Sequence, residues 1–285
     1  MEDIDDLPQQ SKAFATIATK NKNTAIIIDA LNLAFRYLHS GKRDFAEDYY
    51  RTVESLANSY KAGKIIIAAD HGSSSYRKAI YPEYKQNRKD KYELQTEEEK
   101  DKFNAFFSDF EAMLNSAPPH WNILRFNGVE ADDIAAYIVN NMRIFNIDNL
   151  WLISSDKDWD LLISDKVSRF SYVTRKETTI NNWYDHYECD IDSYLGLKCL
   201  QGDAGDNIKG VAGVGPKRAV QLLSEYGSIF DLIESIPIKG TQKFIQAVNN
   251  SKDQLLQNIE LMDLVTFCAD AIGENNIKEI INKLC

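Results

Sequence analysis

Residues Trp121 to Met142 read W-N-I-L-R-F-N-G-V-E-A-D-D-I-A-A-Y-I-V-N-N-M, and the fold turns on them. The apolar run from Trp121 to Phe126 predicts a strand. Ile134, Tyr137, Ile138 and Met142 then recur at the spacing of a buried helix face. Between the two lies Gly128-Val129-Glu130-Ala131-Asp132-Asp133, which puts three carboxylates into four residues. Glu130 and Asp133 share one face of the helix entrance. A single acid there would be a cap meeting the helix macrodipole. Three adjoining acids repel one another unless a cation lies between them.

The same device, an apolar strand ending on an acid, recurs on both sides. It is seen in Thr24 to Asp29 (T-A-I-I-I-D), in Lys64 to Asp70 (K-I-I-I-A-A-D) and in Leu150 to Asp156 (L-W-L-I-S-S-D), with Asp158 just beyond. Val167 to Thr174 predicts a fifth strand. One helix is predicted after Asp29, with Leu31, Phe35 and Leu38 on its inner face, and another across Phe45 to Tyr60. Strands separated by helices predict an α/β fold with a central, mostly parallel sheet flanked by helices. The C-terminal edge of such a sheet is where ligands bind. Acids gathered there raise each other's pKa, and hard divalent cations relieve the repulsion. Asp70 is followed by His71-Gly72-Ser73, so no helix N-terminus is predicted to reward its charge.

At 285 residues and 44% hydrophobic content the chain is long enough for a large core and one to two domains. No apolar run approaches 18 residues, so a soluble protein without a membrane association is predicted. The start, M-E-D-I-D-D, lacks the regions of a secretory signal. Cys189, Cys199, Cys268 and Cys285 are scattered, with neither zinc spacing nor a disulfide framework, which suits a reducing cytoplasm. A net charge of -10 argues against nucleic acid as a partner. Net charge is an average, however, and the distribution decides. Residues 1–22 read as a polar extension, 23–180 as the α/β core and 181–285 as a helical region.

Two stretches break the acidic average. Tyr76 to Tyr92 holds Arg77, Lys78, Lys85, Arg88, Lys89 and Lys91 against Glu83 and Asp90 only, with Tyr76, Tyr81, Tyr84 and Tyr92 interleaved. Such a run is either a solvated face or a surface that stacks on bases beside phosphate contacts. Thr96-Glu97-Glu98-Glu99 after it reads as a capped helix start. The second stretch begins with Gln201-Gly202-Asp203-Ala204-Gly205-Asp206-Asn207 and continues with Gly210-Val-Ala-Gly213-Val-Gly215-Pro216-Lys217-Arg218-Ala219. Its glycines allow a tight hairpin, and Pro216 suits a helix's first turn. Backbone N–H groups at that helix start, beside Lys217 and Arg218, suit a phosphate diester without base reading.

Five motifs together carry a family resemblance: I-I-I-D-A-L-N, P-E-Y-K-Q-N-R, G-V-E-A-D-D, S-D-K-D-W-D-L-L-I-S-D and G-D-A-G-D-N-I-K-G-V-A-G-V-G-P-K-R-A. Over roughly residues 24–270 the chain resembles the flap endonuclease family of 5′-nucleases, in particular its free-standing bacteriophage members. It is similar also to the 5′-nuclease domain of bacterial DNA polymerase I. No polymerase segment follows, which implies a stand-alone enzyme. The resemblance implies one divalent-metal cluster from Asp29, Asp70, Glu130, Asp132 and Asp133, and a second formed or supported by Asp156, Asp158, Asp203 and Asp206. It places Lys85 and Arg88 as catalytic residues at the base of a helical arch, at about 76–100, with Tyr84 beside them. Arg36, Lys198 and Lys217 match basic positions facing DNA. Gly213 and Gly215 belong to a helix–hairpin–helix-type turn, at about 203–226, that grips duplex backbone and in relatives can hold K+. Prolines frequent in polymerase-type relatives near Lys209 and Ala212 are missing here.

The implied activity is hydrolysis of branched DNA that carries a 5′ flap or free 5′ end. It would use two Mg2+ ions, ~3.5–4 Å apart, with Mn2+ as a substitute, and would give a 5′-phosphate and a 3′-hydroxyl. Lys85 and Arg88 would set fixed positive charge beside the phosphate. A monomer in the cytoplasm of a bacterial host, working beside a replicative polymerase, is the implied setting. Two alternatives stay open: a metal-dependent phosphatase on small substrates, and a non-catalytic DNA-binding protein.

Overall fold

The computed structural model describes residues 21–285. Of the 1–22 extension only Asn21 and Lys22 fall within that span, and they open the first strand; the remainder lies outside the described residues. Six strands form the main sheet: β1 (Asn21–Asp29), β2 (Ala62–Ala68), β3 (Asn122–Leu124), β4 (Asn149–Ile153), β5 (Val167–Ser171) and β6 (Lys176–Thr178). Their spatial order is β3-β2-β1-β4-β5-β6. The first five run parallel, and β6 pairs antiparallel with β5. The sequence did not announce β6, a short polar edge strand (K-E-T) with no apolar pattern of its own.

Helices α1 (Ala30–Ser40), α2 (Ala46–Ser59), α3 (Ser75–Ile80), α4 (Gln86–Glu93) and α5 (Glu97–Asn115) precede β3. Next comes α6 (Ala131–Asn140). In β1, Ala25 and Ile27 pack on the α6 side, while Ile26 and Ile28 face α1, α2 and α5. All four have no exposed surface, which is why the strand reads as a continuous apolar run rather than an alternating one. Each such isoleucine contributes about 1.5–3 kcal/mol by burial.

Helix α1 is rotated from its predicted face. Ala30, Leu33, Ala34 and Tyr37 are buried, whereas Leu31 and Phe35 are only partly covered and border an acidic cleft. The capped start predicted at Thr96 is a full capping box, with Thr96 and Glu99 bonding each other's backbone N–H.

The C-terminal part holds α7 (Tyr194–Gln201), α8 (Pro216–Tyr226), α9 (Ile229–Ser235), α10 (Lys243–Asn249), α11 (Lys252–Met262), α12 (Leu264–Ile272) and α13 (Glu274–Leu284). Helices α7 to α11 have a core of their own around Cys199, Leu200, Leu222, Leu223, Leu232, Val248 and Leu255, into which Tyr84 inserts. Helices α12 and α13 pack instead on the sheet core beside α6.

Candidate metal and DNA site

Strand β1 has β2 on one side and β4 on the other, so the chain order reverses between β1 and β4. In an open parallel sheet this switch point leaves a crevice beyond the strand C-termini. Asp29 ends β1 there, and Asp156 lies just past the end of β4. A cleft of about 410 Å³ fills the crevice, lined by Asp29, Asp70, Asp132, Asp156, Asp158, Asp203 and Asp206 together with Lys85 and Arg88. Seven of the nine acids singled out in the sequence therefore meet at one place.

These acids divide by what opposes their charge. Asp29 accepts from the Ser154 hydroxyl at 2.7 Å and the Asn32 N–H at 3.2 Å. Asp70 accepts the Ala131 N–H at 2.7 Å, and Asp132 accepts the Trp159 indole N–H at 2.6 Å. Asp156 accepts the Asp158 N–H at 2.9 Å. Among the described residues no cation is within ion-pair distance of any of the four. Burial pushes the Asp29 carboxyl up to about 8, with the charges of Asp70 and Asp156 adding to it. Burial, then Asp158, raises Asp156 to about 6. Asp70 and Asp132 are raised as well, burial again leading.

The other acids are paired. Glu130 takes Lys85 at 2.7 Å and Arg77 at 3.4 Å, and these cations outweigh burial and hold its pKa below the usual value. Asp206 takes Arg88 at 2.6 Å and Lys85 at 3.6 Å, and the Tyr84 hydroxyl donates to both Glu130 and Asp206. Lys198 bridges Asp158 and Asp203. Four carboxylates lining one cleft, none of them ion-paired among the described residues, form an all-oxygen, hard donor set, which fits a divalent cation of the Mg2+ type. Among the described residues no three acid, histidine or cysteine side chains converge as a finished ion cage.

Several placements differ from the sequence reading. Asp133 does not reach the cleft: it has no exposed surface, and both its oxygens are taken by Arg77 at 2.7 and 2.8 Å. Asp70 does meet a helix N-terminus, that of α6, because the chain folds back to bring Ala131 against it. Tyr84 is 3% exposed with its hydroxyl bound to two acids, so its ring is not a stacking platform. Its neighbours are committed too: Tyr76 bonds Glu260, Tyr81 bonds Glu83, and Tyr92 packs on Phe103. Lys198 is mostly buried between its two acids rather than facing outward.

Lys85 and Arg88 stand where the crossover from β2 to β3 begins its passage through α4 and α5. Lys85 has a left-handed backbone, φ 57°, which costs a non-glycine residue energy and is characteristic of functional sites. That conformation lets its N–H donate to the Asp206 carbonyl at 3.0 Å while Nζ reaches Glu130. The Asn87 amide donates to the Ala204 and Gly205 carbonyls, and the Asn207 amide to the Glu83 carbonyl. The base of the crossover is thus fastened to the 203–207 loop.

That loop is closed by a two-residue antiparallel ladder, Gly202–Asp203 against Ile208–Lys209. Beyond it, Gly213 turns at φ 76°, a conformation open to glycine, and Gly215 caps α8 without a side-chain hydrogen bond. Lys217 lies exposed in the first turn of α8. Arg36 projects from α1 with its guanidinium 4.5 Å from the Tyr172 ring centre, beside a separate hollow of about 470 Å³ that also holds Arg51 and Arg175. That hollow has no group of buried acids, so the chemistry belongs to the cleft.

Sequence reasoning missed the groups that hold the acids. Arg77 was hidden in a basic run that read either as a solvated face or as a base-stacking surface. Ser154 and Trp159 lay inside quoted motifs, yet nothing in spacing tells that a serine or an indole will face a carboxylate.

The model of the 5'-3' exonuclease N-terminal resolvase-like domain matches residues 24–188, and that of the 5'-3' exonuclease C-terminal SAM fold matches residues 190–279. The flap endonuclease of Escherichia phage T5 is 42% identical over 255 residues, 89% of this chain and 87% of that protein. The chain belongs to the 5'-3' exonuclease family. A solved structure of a relative, T5 5'-exonuclease with divalent zinc bound, matches with a TM-score of 0.87 at 41% identity, covering 92% of this chain and 98% of that one. A pseudo-enzyme-product complex of phage T5 flap endonuclease with DNA and metal ions matches with a TM-score of 0.86 at 40% identity, covering 92% and 97%. As a member of this family the chain is a structure-specific, divalent-metal-dependent 5′-nuclease that binds DNA. No helix among the described residues is long and apolar enough to cross a membrane.

Proposed function

We propose that this 5′-nuclease hydrolyses phosphodiesters at the branch of DNA carrying a 5′ single-stranded flap or a free 5′ end, with Mg2+ as its ion. The observation that carries this reading is the set of four carboxylates, Asp29, Asp70, Asp132 and Asp156, gathered in one cleft with none of them in an ion pair among the described residues. These would hold the metal, with Glu130, Asp158, Asp203 and Asp206 around them. A divalent ion held there would supply Lewis acidity for a water nucleophile and counter-charge for the reacting phosphate.

The chain's own groups supply the rest. Lys85 and Arg88 neutralise Glu130 and Asp206. Placed at the cleft, the two cations would set fixed positive charge beside the scissile phosphate, where it favours the transition state. Leu31 and Phe35 form the apolar wall of the cleft and limit water around the reacting phosphate. The N–H groups at Gly213 and Gly215, with Lys217, grip duplex phosphate, and K+ at the same turn would strengthen that grip. Arg36 meets the backbone on the other flank. Attack on phosphorus with loss of the 3′-oxygen leaves a 5′-phosphate and a 3′-hydroxyl. The protein acts as a monomer beside a replicative polymerase in this proposal.

An end-labelled 5′-flap duplex tests the reading. Cleavage at the branch in Mg2+, blocked by EDTA, supports it. Binding without cleavage would make the chain a DNA-binding protein, and hydrolysis of small phosphate esters alone would make it a phosphatase.

A further inference from the structure

Beneath the Asp156–Asp158 turn lies a buried ion pair that the chemistry above does not use. Asp160 has no exposed surface and Arg169 is 5% exposed. Arg169 Nε and Nη2 donate to the two Asp160 oxygens at 2.5 and 2.7 Å. Its Nη1 donates to the Ser154 carbonyl at 3.0 Å, and Nη2 also reaches Thr178 Oγ1 at 3.2 Å. The Tyr187 hydroxyl donates to Asp160, and the Tyr194 hydroxyl donates to the Lys157 carbonyl at 3.2 Å. Desolvating such a pair costs energy that its attraction barely recovers, and apolar replacements of equal size are often neutral or better. Stability alone therefore gives little reason for it.

Its geometry gives a better one. Asp160 belongs to the short 3-10 turn Lys157–Leu162, whose cap is Asp156. The other end of the network, Ser154, donates its hydroxyl to Asp29 at 2.7 Å and accepts the Asp156 N–H at 3.0 Å. Arg169, fixed on β5, thus ties down both the strand end that orients Asp29 and the turn that carries Asp156 and Asp158. We infer that Arg169 and Asp160 are positioning residues, which hold Asp29, Asp156 and Asp158 in the register needed to bind metal. The inference rests on the proposed metal site. Partners of this kind behind a metal ligand are typically worth 10–100-fold in affinity.

The test is Mn2+ titration of the full, DNA-free chain by calorimetry, with melting in EDTA recorded alongside. Arg169→Lys keeps the charge but cannot span both Asp160 oxygens and the Ser154 carbonyl. It is expected to fold and to bind Mn2+ at least tenfold more weakly than the parent. Asp160→Leu with Arg169→Met removes the pair without leaving a lone buried charge, and is expected to melt close to the parent with the same loss. Affinity within threefold of the parent in either folded variant overturns the inference, as does a lower melting temperature with Mn2+ binding unchanged. A parent chain that takes up no Mn2+ would instead refute the metal site itself.

Discussion

Asp29 is 6% exposed, and its carboxyl is pushed up to about 8 by burial and by the neighbouring charges of Asp70 and Asp156. In the unfolded chain the same group titrates near 3.8. Between those values the folded state binds a proton that the unfolded state does not. Metal-free stability must therefore rise as pH falls from 8 to 6, by on the order of 2 kcal/mol from this group. Asp156, raised to about 6, adds to the trend at the lower end. Denaturant melts in EDTA at the two pH values measure the slope, and Asp29→Asn should remove most of it. A parent less stable at pH 6, or a slope untouched in Asp29→Asn, contradicts the charge balance given for the cleft. Asp70 tests the same balance by removal of charge. Its hydrogen bond from Ala131 favours the carboxylate, yet burial wins and its pKa is raised. Asparagine keeps an acceptor oxygen for that N–H, so Asp70→Asn should melt higher than the parent in EDTA, by a few degrees for about 1 kcal/mol. In Mg2+ it should lose nearly all cleavage. Melting below the parent in EDTA would make Asp70 structural.

The crossover base and the hairpin bring predictions at the scale of elements. Lys85 neutralises Glu130 and Asp206 in the metal-free chain. Lys85→Ala should therefore cost about 2 kcal/mol in EDTA, the size of a hydrogen bond to a charged group. The difference should shrink in saturating Mg2+, while turnover on a flap falls about a hundredfold or more with DNA affinity little changed. Equal melting in EDTA would show that Lys85 is no counter-ion. At the start of α8, Lys217→Ala should weaken binding to all duplex sequences alike and lower the salt slope by about one. A sequence-dependent loss would mean that this turn reads bases. Element by element, the strands that bring the acids were legible because each is an apolar run with a carboxylate at or shortly beyond its end. The cap at Thr96 and the start of α8 at Pro216 were legible from local chemistry. The rotation of α1 was not, because Leu31 and Phe35 look like core residues until the cleft they border is known. Nor were the duties of the arch tyrosines: Tyr84 is a bracket between acids because α7 to α11 close over it, a contact between residues far apart in sequence.

Across the whole molecule, a net charge of -10 coexists with DNA binding, and seven of the 43 acidic residues line the cleft. The α/β class and the convergence of acids on one sheet edge could be read from the strand ends alone. The division of those acids into paired and unpaired sets could not, since it depends on which acid each of Arg77, Lys85 and Arg88, from one basic stretch, and Lys198, from another, comes to face. Asp133 shows the limit plainly: it sits inside the densest acid motif, yet a buried arginine from α3 turns it away from the site. The most direct test of the account is cleavage of an end-labelled 5′-flap duplex by the parent and by Asp132→Asn, followed across a Mg2+ titration. The account predicts incision at the branch by the parent, rising with Mg2+ and absent in EDTA, and near-complete loss in Asp132→Asn with flap binding retained. Incision by the parent in EDTA, or an Asp132→Asn chain that cuts like the parent at any Mg2+ concentration, would contradict it.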